Sequence, residues 1–560
     1  MNKYENLLIS WCDYLIERQT EQAKGGFSCE ACEHIHGRAD NAIFPLVCAY
    51  SITKNDKYLK GAEKLLPFRK LLTDTDGAVH NDFISEWKGI TSFSAINLFK
   101  TLYYYGNILP ADFKADLEVC FDLSAKWVHD NIKTGFRANI NYYAASAAVN
   151  AMYGEYRHDT EYTDSAKQLL EYCLSHFTDN GLLTGEGQPH AFRTEKGCAP
   201  VDIGYNIEES VPCLVDAAHI LNDNKALPEI SRQTEKLLDF ILPDGGWDNS
   251  FGSRNTKWTY YGSRTSDGCI GAFTILGKYN DIFYEAAERT FNILDVFTHK
   301  GRLYGGKYYI ENNVPPCIHH TFSHACALAD AIVNDIKEPE KRKELPCDRE
   351  ELSYKYYPEI DTYKIHAGKW LATVTANDYA TYTFTRGAAH ASGGALSMLF
   401  HKDKGAVIAG SVFEYKLTEV NNMQTPPEGI VHSSLIPRAE YKKDGIIYST
   451  ALDGNAVMSI SQTADEITLK VTAKFVNVNE RKAEDDDLTA DFTYRFTYDK
   501  IFIYIIYNKN KDIKFYLPII KNTAKVITDD EYTARDTFFL TPGYNAEEYT
   551  FTGNTKIVIN

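Results

Sequence analysis

The first ~340 residues carry apolar positions at helical spacing, in segments separated by short loops rich in glycine, proline, asparagine and aspartate. The pattern predicts twelve helical segments, at about 3–18, 41–54, 56–71, 90–106, 112–131, 140–154, 162–177, 206–221, 227–241, 265–279, 281–297 and 320–335. Many follow one another in pairs, as helical hairpins do. Six hairpins closed into a ring form an (α/α)6 toroid, and we predict this fold for residues 1–340. A superhelical array would show a firmer repeat.

The pattern changes near residue 340. Residues 341–356 are charged, as a linker would be, and from residue 357 onwards apolar and polar positions alternate with period two. The alternating runs, such as DFTYRFTYDKIFIYIIY, are rich in threonine, tyrosine, isoleucine and phenylalanine, which favour pleated, half-buried surfaces. We therefore predict an antiparallel β-sandwich over residues 357–560. The complete chain is an α+β protein of two domains.

Charge and composition narrow the function. The 59 Lys and Arg against 76 Asp and Glu give a formal net charge of −17, so we expect no nucleic-acid partner. The N-terminal residues do not resemble a secretory signal, and no stretch approaches ~18 uninterrupted apolar residues. These features predict a cytoplasmic protein with no membrane partner, and they leave the oligomeric state open. Most of the twelve cysteines stand singly in apolar segments, which indicates reduced core thiols.

Four stretches carry candidate chemistry, and the first is GGFSCEACEHIHGRAD. Cys29 and Cys32 form a C-x-x-C motif, and His36 and Arg38 follow closely. Two thiolates and an imidazole could hold a structural zinc ion, although a fourth ligand is not evident from the sequence. Alternatively, the thiols are free and the histidine is packed in the core. A third interpretation, which we favour, places His36 and Arg38 in the cleft as ligands of an anionic substrate. We expect no cofactor.

The second stretch contains Asn141 and Tyr142 at the start of an alanine-rich helix. Asn141 would either cap this helix or hold a sugar carboxylate, with the tyrosine ring stacked on the sugar. The third stretch, residues 179–214, contains His190, Tyr205 and Glu208. Acidic residues in a first helical turn can simply complement the helix dipole. Nevertheless, this loop holds more proton-transfer groups than a connection needs.

The fourth stretch, PDGGWDNSFGSRNTKWTYYGSRTSDGC, is the most informative. Aromatic faces stack on sugar rings, and arginine binds carboxylates with two hydrogen bonds. So many aromatic and cationic residues in a polar loop are hard to explain as packing. We therefore predict a substrate-binding loop that uses Asp248, Arg254, Trp258, Tyr261 and Arg264.

This order of motifs resembles polysaccharide lyases of the hyaluronate/chondroitin AC and heparinase II/III-like groups, which join a helical toroid to a β-sandwich. The resemblance implies that Asn141 neutralises the substrate carboxylate and that His190 and Tyr205 transfer protons. It also implies that Arg264, with Arg254 nearby, binds the same carboxylate. The implied substrate is an acidic oligo- or polysaccharide that contains uronic acid.

The implied reaction is β-elimination, in which a base removes the C5 proton next to the carboxylate and the 4-linked sugar leaves. An adjacent arginine would favour the phenolate that Tyr205 needs to act as the base. The alternative is a glycoside hydrolase of the same toroid class, a glucuronidase or an unsaturated-uronide hydrolase, which needs two facing carboxyl groups. The carboxylates available for that reaction are Glu186, Asp202, Glu208, Asp248 and Asp267.

Overall fold

The computed structural model describes residues 1–31, 34–187, 192–256, 268–335, 337–379, 390–417, 433–479, 482, 487–539 and 543–560. Its helices are α1 Lys3–Arg18, α2 Ile43–Thr53, α3 Asp56–Leu71, α4 Thr91–Tyr105, α5 Ala111–Asn131, α6 Ile140–Arg157, α7 Thr160–Leu174, α8 Ile203–Tyr205, α9 Val211–Ile220, α10 Ala226–Leu237, α11 Ile270–Leu276, α12 Ile282–Val296 and α13 Ile318–Asn334. Each of the twelve predicted segments contains at least part of a helix.

The helices form six antiparallel pairs: α2 with α3, α4 with α5, α6 with α7, α9 with α10, α11 with α12, and α13 with α1. The first member of each pair contacts the first members of the two neighbouring pairs, and α13 contacts α2, so the inner ring closes. This arrangement is the predicted (α/α)6 toroid, in which the pair of α13 and α1 joins the two ends of the helical region.

Burial separates the inner helices from the outer ones. Inner helix α6 buries almost every residue from Ile140 to Met152, and its small alanine side chains allow neighbouring helices to pack on all sides. Outer helix α7 buries only one apolar face, formed by Ala166, Leu169, Leu170 and Cys173. The alanine-rich sequence of α6 therefore identifies it as an inner helix, whose N-terminal end contributes to the central cleft.

The strands are β1 Thr298–His299, β2 Arg302–Leu303, β3 Leu352–Tyr357, β4 Thr362–Ala367, β5 Trp370–Thr375, β6 Ala395–His401, β7 Gly405–Ala409, β8 Arg438–Lys443, β9 Ile446–Ser449, β10 Val457–Gln462, β11 Glu466–Lys474, β12 Thr489–Thr497, β13 Ile501–Tyr507, β14 Ile513–Ile520, β15 Val526–Ile527, β16 Tyr532–Phe539, β17 Tyr544–Thr552 and β18 Thr555–Ile559. From β3 onwards they form three antiparallel sheets, in the orders β3-β4-β5-β6-β7, β10-β11-β12-β13-β18-β15 and β16-β17-β14-β8-β9. The predicted antiparallel β region is confirmed.

The sheet of β3–β7 is a middle layer between the toroid and the other two sheets. Leu371, Met398 and Phe400 on one face belong to the hydrophobic core of the toroid, whereas Trp370 and Val374 on the other face belong to the core of the β region. Strand β5 is consequently buried along its whole length. The toroid and the β region thus share a continuous apolar contact.

The described helical region ends with α13 at Asn334, and the three-sheet region begins with β3 at Leu352. The division into residues 1–340, 341–356 and 357–560 stays a prediction. None of the described helices has the length and apolar character needed to cross a membrane.

Candidate active site

A π-helical segment, Asn206–Ser210, joins α8 to α9 at the centre of the toroid. Asp202 is the N-cap residue of α8, because its Oδ1 accepts a hydrogen bond from the backbone N–H of Tyr205 at 3.0 Å. The wider π turn changes the direction of successive side chains, and such turns are frequent at functional sites. Glu208 and Glu209 both lie in this segment and are both buried, although their carboxylates contact different partners.

Asn141 connects the π segment to the loop before it. Its Nδ2 donates to Oε2 of Glu209 at 2.6 Å, and its backbone N–H donates to Oε1 of Glu186 at 3.2 Å. That N–H belongs to the first turn of α6, where backbone donors have no partner within the helix, so a carboxylate is favoured there. The amide of Asn141 carries a second N–H donor. Asn141 therefore combines a structural contact with a remaining capacity to bind an anion.

Arg254, which lies in the fourth sequence stretch, completes a cluster with Asn141, Glu186 and Tyr205. Its guanidinium lies 3.6 Å from the centre of the Tyr205 ring, and its Nη1 lies 3.4 Å from Oε2 of Glu186. Its backbone N–H donates to Oδ2 of Asp202 at 2.8 Å. The same carboxylate therefore positions both members of the stacked pair, since it also caps the helix of Tyr205.

Burial controls the protonation of this cluster. The side chain of Glu186 is fully buried. Burial, with a smaller contribution from nearby Asp202, raises the pKa of Glu186 to about 7 against the opposing effect of Arg254. Burial also raises the pKa of Asp202, although hydrogen bonds from Asn249 and the backbone oppose the shift. Glu186 is consequently close to half protonated at neutral pH.

The two domains match models of one family. Residues 8–350 match the ulvan lyase N-terminal domain, and residues 354–535 match the ulvan lyase C-terminal domain. The chain belongs to the ulvan lyase family. It is therefore a polysaccharide lyase, as the resemblance to toroid-plus-sandwich lyases predicts.

A broad-specificity ulvan lyase from Formosa agariphila is 33% identical to this family member over 489 residues, which are 85% of this chain and 76% of that protein. Two solved structures share its fold at low identity. A heparinase III gene product aligns with 100% of this chain and 84% of its own, at a TM-score of 0.52 and 10% identity. A mutant heparan sulfate lyase from Pedobacter heparinus covers 98% of this chain and 82% of its own, at a TM-score of 0.50 and 9% identity.

An aromatic group lies beside the cluster of this ulvan lyase family member. The Tyr142 hydroxyl accepts a hydrogen bond from Nε1 of Trp87 at 2.8 Å, and the two rings meet edge to face at 5.0 Å. Phe93 also contacts Tyr142, and the guanidinium of Arg38 lies 4.8 Å from the Phe93 ring centre. Arg38 and Tyr142 thus belong to one surface, and half-buried Trp87 is a member that the sequence analysis missed.

The structure places three predicted substrate ligands away from this cluster or in internal contacts. His36 lies beside Cys317 and His319. Glu208 lies 3.2 Å from Nε2 of buried His324. His36 and Glu208 therefore have contacts within the protein, and their substrate-binding roles stay predictions.

The carboxylate of Asp248 forms a buried ion pair with Lys364. Its carboxylate is fully buried and accepts from Lys364 at 2.9 Å and from Thr373, both in the middle sheet. It also accepts from the Ser250 hydroxyl at 2.8 Å. Asp248 therefore joins the toroid to the β region, and its substrate-binding role stays a prediction.

A cavity of about 60 Å³ extends from Glu208 and Glu209 to Lys100. The Lys100 ammonium lies 2.7 Å from Asp216 and 3.0 Å from Asp330, and all three side chains are buried. Two carboxylates already compensate this lysine, so it adds little attraction for an anionic substrate. Arg254 and Arg38 are the cations next to the cluster in the described part of the cleft.

The structure thus brings together three predicted residues, Asn141, Tyr205 and Arg254. Glu209 and Asn206 of the π segment were not among the predicted site residues, and both of their side chains are buried. The side-chain amide of Asn206 has no hydrogen-bond partner among the described residues, so both of its polar atoms remain available. Four further predicted residues lie outside the described residues: His190, Trp258, Tyr261 and Arg264.

Proposed function

We propose that this chain cleaves an acidic, uronic-acid-containing polysaccharide by β-elimination, with Tyr205, Arg254 and Asn141 at the reacting sugar. The contact between Arg254 and the Tyr205 ring carries the proposal, because it places a cation beside the one side chain that would act as the base. Ulvan is the first substrate to test, since the relative from Formosa agariphila is named an ulvan lyase.

Elimination requires the uronate carboxylate to be neutralised before the C5 proton can leave. Arg254 and the second amide N–H of Asn141 supply donors for this purpose. Preorganised donors of this kind contribute about 3–4 kcal/mol each in comparable sites. The stabilisation is selective, because negative charge on the carboxylate grows as the C5–H bond breaks.

Tyr205 is the proposed base. A guanidinium 3.6 Å from the ring centre stabilises a phenolate electrostatically, and burial of the pair strengthens that interaction. The phenolate accepts the C5 proton, the electron pair forms the C4–C5 double bond, and the C4–O bond to the leaving sugar breaks. Tyr205 or His190 then returns a proton to the leaving oxygen.

Glu186 has a positioning role in this proposal. In its protonated form it leaves the charge of Arg254 uncompensated and therefore available to the substrate carboxylate. It also holds the first turn of α6, which carries Asn141. A carboxyl group that is about half protonated at neutral pH can fill both roles.

Three of the described carboxylates fit the alternative hydrolase less well. Asp202 accepts three hydrogen bonds, from the backbone N–H groups of Tyr205 and Arg254 and from Asn249. Asp248 is joined to Lys364, and Glu208 lies against His324. A glycosidase acid and base must both face the scissile bond, whereas these groups face protein partners.

The test is to incubate the purified enzyme with ulvan and a panel of other uronate polysaccharides. We expect a product that absorbs in the near ultraviolet, because elimination creates a double bond conjugated with the carboxylate. Its mass will be lower by one water molecule than that of the corresponding hydrolysis product. Release of reducing sugar without a new chromophore would instead establish hydrolysis and contradict the proposal.

A further inference from the structure

Two cysteines and a histidine from distant parts of the chain lie close together in the interior of the helical region. The Sγ atoms of Cys29 and Cys317 are 3.9 Å apart, and Sγ of Cys317 is 3.8 Å from Nε2 of His36. The three potential ligand atoms all lie within 4.8 Å of one another, and each side chain is at most 4% exposed. Cys29 and Cys317 are separated by 288 positions, so this cluster cannot be recognised from local spacing.

These distances match those around a tetrahedral zinc ion. With Zn–S bonds of about 2.3 Å and Zn–N bonds of about 2.0–2.1 Å, tetrahedral geometry places two sulfur ligands about 3.8 Å apart and sulfur and nitrogen about 3.6 Å apart. A disulfide between Cys29 and Cys317 would require a separation of about 2.05 Å, roughly half of the one observed. The arrangement therefore fits a shared ion better than a covalent bond.

The local fold builds the cluster from two rigid pieces. Ser28 pairs with Ile35, and the Cys29 N–H donates to the carbonyl of His34 at 3.0 Å, so these backbone contacts bring Cys29 close to His36. Cys317 is the N-cap residue of α13. The positive end of a helix dipole stabilises a thiolate, which is the form that binds a metal.

We propose that Cys29, His36 and Cys317 bind a structural zinc ion. Two thiolates and one imidazole suit zinc and are unsuited to calcium or magnesium, which prefer oxygen ligands. The three described residues supply three of the four ligands that a structural zinc ion takes. Cys32, which completes the C-x-x-C motif, lies outside the described residues.

The ion would connect Cys29 and His36 to the N-terminus of α13. Arg38 follows His36 by two residues and contacts Phe93 in the aromatic group. The ring of His319, in the first turn of α13, lies 5.3 Å from the ring of His36 and supports it from the second side. The zinc site would consequently fix the position of Arg38 and close the toroid where its first and last helices meet.

The experiment measures bound metal directly. Full-length protein, dialysed against metal-free buffer, is expected to retain about one zinc ion per chain by elemental mass spectrometry. Cys317→Ala and His36→Ala should each reduce this content at least tenfold. Cys173→Ala is the matched control, because Cys173 is equally buried but lies in outer helix α7, and it should retain the zinc.

Spectroscopy and stability give independent results should a variant fail to fold. Cobalt-substituted wild-type protein should show a thiolate-to-cobalt charge-transfer band in the near ultraviolet, and removal of zinc with a strong chelator should lower Tm by several degrees. A wild-type protein without zinc or cobalt binding would overturn the proposal. A Cys29–Cys317 disulfide found by mass spectrometry of alkylated protein would overturn it as well.

Discussion

Two fully buried carboxylates of this protein, Glu186 and Asp248, have opposite pKa shifts. Burial would raise the pKa of Asp248, but the ammonium of Lys364 and hydrogen bonds from Thr373 and Ser250 outweigh it and hold the pKa below its ordinary range. Burial raises the pKa of Glu186 to about 7, because Arg254 compensates it only partly. A buried carboxylate whose charge and hydrogen bonds are fully compensated is typical of a structural ion pair. A buried carboxylate whose charge is only partly compensated is typical of a functional site.

The two regions are nevertheless connected. Asp248 and Arg254 are six positions apart in the connection before α11. The β region holds this connection through the contact of Ser250 with Ser397 at 2.7 Å and of Asn255 with the carbonyl of Ser411 at 3.4 Å. The structural ion pair thus fixes the loop that supplies the cation of the candidate active site.

The largest effect should follow from breaking the structural pair. Asp248→Ala leaves the Lys364 ammonium buried without its counterion, so we expect the free energy of unfolding to fall by about 3–5 kcal/mol. Chemical denaturation measures this change. The control is Asp403→Ala, which breaks the exposed pair with Lys369 and should leave the denaturation midpoint unchanged. Equal effects of the two substitutions would show that Asp248 is not a structural anchor.

The next effect concerns the cation of the cluster. Arg254→Lys keeps the charge but removes the planar group that stacks on Tyr205, so we expect kcat to fall about 10²-fold. Steady-state kinetics on a cleaved polysaccharide measures it. Arg232→Lys, on the exposed face of α10, should have no effect. An Arg254→Lys enzyme with normal kcat would mean that the stacked contact has no catalytic role.

The smallest expected effect is a change in the pH dependence of the free energy of unfolding. Because the pKa of Glu186 is raised from 4.5 to about 7 in the folded protein, this group stabilises the fold at low pH, and that contribution is lost as the pH rises through 7. Glu186→Gln removes the titration. Between pH 5 and pH 8 the wild type should lose about 2.5 kcal/mol of stability relative to this variant.

Denaturation of both proteins across that pH range gives the comparison. Parallel stability profiles would show that Glu186 titrates normally. A difference that favours the wild type at high pH would indicate a lowered pKa, as in Asp248, and would remove the contrast between the two carboxylates.

The sequence predicted the helical ring well, because each helix carries its own apolar periodicity. It did not predict the π segment at Asn206–Ser210, since the extra turn width depends on packing inside the ring. It also did not predict the middle-layer sheet. Strand β5 alternates in sequence like a one-sided strand, yet both of its faces are buried, because a second domain covers the face that would otherwise contact water.

The candidate site was only partly predictable. Asn141 and Tyr205 stand in recognisable local motifs, but their partners Glu209 and Glu186 are 68 and 45 positions from Asn141, distances that no local spacing reports. The ion pair of Asp248 was not predictable for the same reason. An acidic residue in a polar, aromatic loop has the same sequence signature whether it faces a sugar or a lysine 116 positions away.

The most direct test of the catalytic assignment is the rate of unsaturated product formation by Tyr205→Phe. This substitution keeps the ring that stacks on Arg254 and removes only the hydroxyl, so we expect kcat to fall about 10²–10⁴-fold while substrate affinity measured by calorimetry changes little. Tyr172→Phe, on outer helix α7, is the control and should behave like the wild type. A Tyr205→Phe enzyme that forms the unsaturated product at the wild-type rate would contradict the assignment of Tyr205 as the base.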